Sequence, residues 1–241
     1  QVKGLRQSTI AEFIGTMFLV TVAISSTILP MDLLGATIPL TILINALAVA
    51  FILFALIESL APISGAHFNP AVTLGFLISG DIPRRRASAY IAAQMLGGLT
   101  GVLFAHLMFY DTTPILLTVS ENTMSSGQYL AEVLGTFLLV GVIIACVRGR
   151  SKHLALSVGL LVGGMIVATS STMFANPAVT FGRMFTYAIC GISVESGVLF
   201  MLAEMIGAII AVGVFAYLLY PREEPYHGPM PEGKNDDVSR P

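Results

Sequence analysis

The chain has 241 residues, of which 55% are hydrophobic and only 11% charged, with a formal net charge of −2; its mean hydropathy is +0.85. Soluble domains carry about a quarter charged residues, so this composition excludes a soluble globular protein and points to a chain that crosses a membrane; nucleic acid is not an expected partner. The two cysteines, Cys146 and Cys190, stand far apart in apolar sequence and are expected to be reduced packing residues.

Six apolar runs approach the roughly 20 helical residues that span a bilayer core: near 8–29, 38–61, 86–109, 127–148, 153–171 and 194–220. No secretory cleavage pattern follows the first run, which is expected to be retained. Two shorter runs, about 69–79 and 177–188, each open with the same five residues, Asn69-Pro70-Ala71-Val72-Thr73 and Asn176-Pro177-Ala178-Val179-Thr180. Asn is a good helix cap and Pro suits the first helical position, where its missing N–H has no partner to lose. At ~1.5 Å per residue, each run reaches about half of a membrane. These are predicted to be re-entrant half-helices. The fold class is therefore all-α: six transmembrane helices plus two half-helices.

The halves repeat. Ala11-Glu12 with Gly15-Thr16 in the first span is matched by Ala131-Glu132 with Gly135-Thr136 in the fourth, and the segment around Gln94 by that around Glu204. Three spans per half is an odd number, so the halves run in opposite senses through the membrane, as in inverted-repeat architectures. One channel-like domain is predicted over 1–220, its repeats at about 8–110 and 127–220, with a disordered tail over 221–241 that is rich in Pro, Gly and acidic residues. Lys3, Arg6, Arg84, Arg85, Arg86, Arg148, Arg150, Lys152 and Arg222 all fall on one side of this layout, and Asp32, Asp111, Glu121 and Glu195 on the other. By the positive-inside rule both termini are cytoplasmic.

A carboxylate inside a span is costly and faces the interior. Glu12 and Glu132 are either proton-relay groups or acceptors for the unwound backbone ahead of each half-helix, which needs such partners at membrane depth. The pairing of one Glu with one loop in each repeat favours loop support. Gly15, Gly97, Gly98, Gly135 and Gly207 are read as close helix contacts. The histidines are scattered, and no nucleophile–base pair or metal-ligand cluster is apparent. Neither enzyme activity nor a cofactor or metal is expected.

From Ile63-Ser64-Gly65-Ala66-His67-Phe68 through the first Asn-Pro-Ala, the chain resembles the major intrinsic protein family, the aquaporins and glycerol facilitators; the likeness runs from Ser8 to Tyr220. It implies that Asn69, Pro70, Ala71, Asn176, Pro177 and Ala178 surround a pore, each Asn offering its NH₂ group to passing solute, and that the two half-helix dipoles repel cations and protons at the centre. It also implies a homotetramer with one pore per subunit in the cell (inner) membrane. Family spacing assigns the selectivity filter to Val49, Gly164, Met173 and Val179, with Phe51 or Gly163 next if the spacing slips. Most relatives have Arg where Val179 stands. Arg183, one helical turn further on, is either a displaced cation at the outer mouth or a support for loop backbone, the second fitting the relatives better.

The resulting expectation is a passive channel for small uncharged solutes through a wide, apolar, Arg-less filter. Its solutes would be water, glycerol, urea, arsenite-like metalloid hydroxides or methylated arsenicals, as the resemblance to the arsenic-associated bacterial aquaglyceroporin branch implies. The alternatives are a water-selective pore in which Arg183 compensates, and an ion-coupled secondary transporter.

Overall fold

The computed structural model describes residues 3–222. Most of the tail predicted as disordered therefore lies outside the described residues. Eight α-helices follow one another: α1 (Leu5–Thr27), α2 (Ile38–Ser64), α3 (Pro70–Ile78), α4 (Arg84–Leu107), α5 (Ser126–Arg148), α6 (Leu154–Ala168), α7 (Pro177–Arg183) and α8 (Val194–Ala211). π-helical turns lengthen α1 through Ile28–Leu33 and α8 through Val212–Leu219. Five helices, counted with these extensions, are long and apolar enough to cross a membrane. The predicted sixth span is shorter than expected: α6 has 15 residues, about 22 Å at ~1.5 Å per residue. It stops because Thr169 turns extended (φ −101°, ψ 150°), which frees residues 169–175 to travel back to the second half-helix.

Small residues and buried polar groups hold the bundle together, since apolar side chains gain nothing from leaving lipid for one another. A Cβ on Gly97 would meet the Phe13 carbonyl at 2.6 Å, and one on Gly207 would meet the Val133 carbonyl at 2.4 Å. Each glycine therefore lets its helix, α4 or α8, lie backbone-close on α1 or α5 one residue past the repeat carboxylate. The outer side of α2 is apolar along most of its length, with Leu40, Leu43, Leu47, Phe51 and Phe54 exposed in a helical row.

The half-helices differ in length. α7 ends at Arg183, well before the predicted 188, because the chain beyond it pairs elsewhere. Thr118 and Ser120, from the long α4–α5 connection, donate their amides to the Phe185 and Met184 carbonyls, and Ile192 donates to the Arg183 carbonyl. On the opposite face, α3 is closed by a clasp. Asp81 accepts from Arg148 at 3.2 Å and Arg222 at 2.6 Å, and from the Ser79 hydroxyl. Arg148 also donates to the Ala216 and Tyr220 carbonyls at the end of the α8 extension. Partial burial alone would raise the Asp81 carboxyl, but the hydrogen bonds from Ser79, Arg222 and Arg148 hold it below the ordinary aspartate value.

Candidate functional site: the pore axis

The two re-entrant loops are built alike. Before Asn69, Ala66 and Phe68 have positive φ (52° and 49°), following Gly65 (92°); before Asn176, Thr172, Met173 and Ala175 do (57°, 42° and 47°). Non-glycine residues held there cost about 1–3 kcal/mol each. The repeat carboxylates offset that cost. Glu12 accepts the His67 and Phe68 amides (3.0 and 2.6 Å), and Glu132 accepts those of Phe174 and Ala175 (3.0 and 2.6 Å). A hydrogen bond to a charged acceptor contributes about 1.5–3 kcal/mol, so two of them are of the same order as the strain of two left-handed residues in the first loop and three in the second. Both glutamates are fully buried with their acceptor atoms committed to loop backbone, which fits a supporting group better than a proton relay.

Each asparagine has two tasks. The Asn69 Oδ1 accepts the Ala71 amide at 2.8 Å, and the Asn176 Oδ1 accepts the Ala178 amide at 3.0 Å. These are ordinary N-caps. Their NH₂ groups cross to the other loop: Asn69 donates to the Ala175 carbonyl at 2.7 Å and Asn176 to the Phe68 carbonyl at 2.8 Å. An amide NH₂ has two donors, so each asparagine keeps one N–H after bracing its opposite loop. Both asparagines line the central cavity.

Among the described residues, a row of cavities shares walls along the axis. An outer one of about 120 Å³ meets Thr27, Thr41, Asn45 and Cys190. A central one of about 60 Å³ contains the two asparagines. An inner one of about 30 Å³ opens near Val147 and Leu154, on the face that carries Arg148. Arg183 borders both the outer and central cavities, and His67 both the central and inner ones. At roughly 10–15 Å³ per water, the central cavity holds a short file of molecules.

Three of the four residues assigned to the filter, Val49, Met173 and Val179, line this central cavity. Gly164 does not. Its position on α6 is exposed, and a Cβ there would meet nothing within 4 Å. Neither alternative takes its place, since Phe51 is exposed on the lipid side and Gly163 packs against Ala46 and Ala50 of α2. Val158, Val162 and Ile166 line the wall instead, spaced four apart on one helix face. That i, i+4 row of branched residues was legible in the sequence; an offset counted through the irregular 169–175 loop could not find the phase of α6.

Arg183 is also unlike the supporting residue that the relatives' pattern favoured. It is 3% exposed, and its guanidinium stacks 4.1 Å from the Phe174 ring centroid. No hydrogen bond from that guanidinium to a protein group is found among the described residues, and its Nε is buried without a partner. Cys146 and Cys190 are both free thiols.

Two short capped helices, end to end on crossed asparagines and continued by cavities, define an inverted-repeat membrane pore. Residues 1–175 match the family model described as major intrinsic protein. The chain is 39% identical to the aquaglyceroporin AqpS of Rhizobium meliloti over 217 residues, 90% of this chain and 92% of that protein. It is 34% identical to a probable aquaporin of TIP-type alpha from Phaseolus vulgaris over 198 residues, 79% of this chain and 76% of that one. The X-ray structure of the aquaglyceroporin from Plasmodium falciparum superposes with a TM-score of 0.71 at 18% identity, covering 90% of this chain and 97% of that chain. The chain belongs to the major intrinsic protein family, whose members are channels.

Proposed function

We propose that the chain is a passive channel for small uncharged solutes: water, glycerol, urea and neutral metalloid hydroxides of polyol size. The observation that carries this reading is the wall of the central cavity. Between Arg183 at one end and His67 at the other it is lined largely by Val49, Leu53, Val162, Ile166, Met173 and Val179, with Asn69 and Asn176 as polar stations. A neutral hydroxylated solute can donate or accept at those stations while its carbon skeleton slides on aliphatic side chains. An ion would lose its hydration without replacement. The aquaglyceroporin name of the 39%-identical relative agrees with this class of solute.

Ile166 occupies wall that a glycine would have left open, so any added width over an Arg-bearing throat comes from Val179. The filter is then apolar and Arg-less at that position, but less wide than a glycine on α6 would make it. Nothing in the cavity wall offers an ion-binding carboxylate for coupled transport, because Glu12 and Glu132 are spent on loop amides. We assign residues 1–220 to one channel domain of a homotetramer in the cell membrane, with the basic face cytoplasmic by the positive-inside rule.

A second reading has its own observation. Arg183 reaches the cavity between its outer and central parts, so a water-selective pore with a displaced cation is the competing arrangement. Stopped-flow swelling of proteoliposomes separates the two. The neutral-solute channel passes glycerol as well as water, and Val179→Arg cuts glycerol flux at least tenfold while sparing water. Fast water flux with no glycerol flux in the unaltered protein would falsify it in favour of the water pore, and there Arg183→Ala is the change that admits glycerol.

A further inference from the structure

Among the described residues Arg183 is the one buried cation on the pore axis, and no acceptor there satisfies it. Among the described residues, the salt bridges all belong to Asp81, on the other face. Arginine stays charged and carries five N–H donors in a fixed fork. A guanidinium 3% exposed, lying on one aromatic ring and otherwise facing a cavity, is a charge awaiting an acceptor from solution.

The cavity beside it is suited to supply one. The Thr41 hydroxyl is buried without a partner, and Thr172 stands on the same wall with its backbone held at φ 57°. The Asn45 NH₂ is used up on the Ala23 carbonyl and the Ser26 hydroxyl (2.9 and 2.8 Å). The Thr27 hydroxyl is likewise committed to the Ile24 carbonyl. The free donors around this space are therefore Arg183, Thr41 and Thr172. The space itself, about 120 Å³, takes several water-sized groups at roughly 15 Å³ each.

We infer that the outer cavity is a recognition site for small monovalent carboxylates, whose planar O–C–O group takes the Arg183 fork while the Thr41 and Thr172 hydroxyls complete the shell. Guanidinium and carboxylate match in a bidentate pair, and no residue on this wall carries a negative charge. Asp32, Asp111, Glu121 and Glu195 lie toward the same face. None forms an ion pair with Arg183, and screening over about 8–10 Å limits their repulsion at physiological salt. The bound anion stops there, because beyond Arg183 the wall turns to Val49, Ile166 and Val179. It seats in the mouth as a plug and lowers the flux of neutral solutes. The flux consequence rests on the channel reading above; the binding itself does not.

The test is therefore a binding measurement first. The melting temperature of the detergent-purified protein is followed against sodium acetate, with acetamide as the uncharged control, in constant sodium chloride. Acetate is expected to raise it in a saturable way and acetamide to leave it unchanged. Arg183→Gln is expected to weaken the acetate effect at least tenfold, and Arg183→Lys to retain part of it, since one ammonium replaces a fork. Equal shifts from acetate and acetamide, or an undiminished acetate shift in Arg183→Gln, would overturn the site. Where Arg183→Gln does not fold, Thr41→Val and Arg183→Lys carry the test, and an unchanged acetate affinity in both overturns it. Swelling in acetate, run in parallel, reads the plug: binding without slower water or glycerol flux sinks the plug alone, whereas absent flux in every condition sinks the channel reading and leaves the binding result standing.

Discussion

The two re-entrant loops share a frame but not its filling, and their differences make the pore asymmetric. Two residues before each asparagine stands His67 or Phe174, and seven after it Phe76 or Arg183. In the first loop His67 stacks on Phe76 with centroids 4.8 Å apart; in the second, Arg183 lies over Phe174 at 4.1 Å. The same two positions pair in both halves, yet the polar member has changed places. Because the repeats are inverted, His67 ends up between the central and inner cavities and Arg183 between the central and outer ones. A symmetric scaffold thus gives each end of the pore its own polar residue.

A second difference lies behind the loops. Gln94 donates its Nε2 to both Glu12 and Thr73 (2.8 and 2.9 Å), tying loop to half-helix through an amide. At the corresponding place Glu204 accepts from Thr180 at 2.5 Å, and its other carboxyl oxygen is buried without a partner. A buried oxygen left without a donor costs about 1–3 kcal/mol, a cost that the first loop's amide avoids. The first loop is also more heavily tied, since the Ser64 hydroxyl adds a 2.6 Å bond to Glu12.

Removing the carboxylates should have the largest effect. Glu12→Ala and Glu132→Ala each leave two buried amides unsatisfied, at about 1–3 kcal/mol per amide, and should abolish most water flux. Glu12→Ala should lower the melting temperature more, because Ser64 and Gln94 lose their acceptor as well. Equal losses would mean that the extra ties of the first loop contribute nothing. Next in size is Glu204→Gln, which gives the second loop the amide of the first. The melting temperature should hold or rise, by the equivalent of about 1 kcal/mol for one well-made hydrogen bond. A large fall would show that this position requires a carboxyl and not an amide.

The smallest effect belongs to the clasp that closes α3, for which α7 has no counterpart: the position matching Asp81 is Ala188. The folded Asp81 carboxyl titrates below its ordinary value, so its stabilisation is complete above the unfolded value of about 3.9. It disappears as pH falls through the lower folded value. Melting scans from neutral pH downward should show this loss in the unaltered protein and not in Asp81→Asn. Partly exposed pairs of this kind contribute less than about 1 kcal/mol. An identical pH profile in Asp81→Asn would remove the clasp from the comparison.

Much of this was legible in the sequence because it depends on local chemistry and on repetition. Asn-Pro starts a helix wherever it stands, apolar length sets what can span a bilayer, and a recurring Glu ahead of an unwound loop has little else to bind. The tertiary structure decided what depends on phase and on partners distant in the chain. Gly164 turned outward and Ile166 inward because the 169–175 loop, with its left-handed residues, sets how α6 faces the pore. α7 stopped at Arg183 because amides from residues 118 and 120 draw on the carbonyls that follow it. Whether Arg183 serves the loop or the pore depends on its guanidinium making no hydrogen bond to a described residue, and the packing of Phe174 beneath it leaves its charge bordering the cavities.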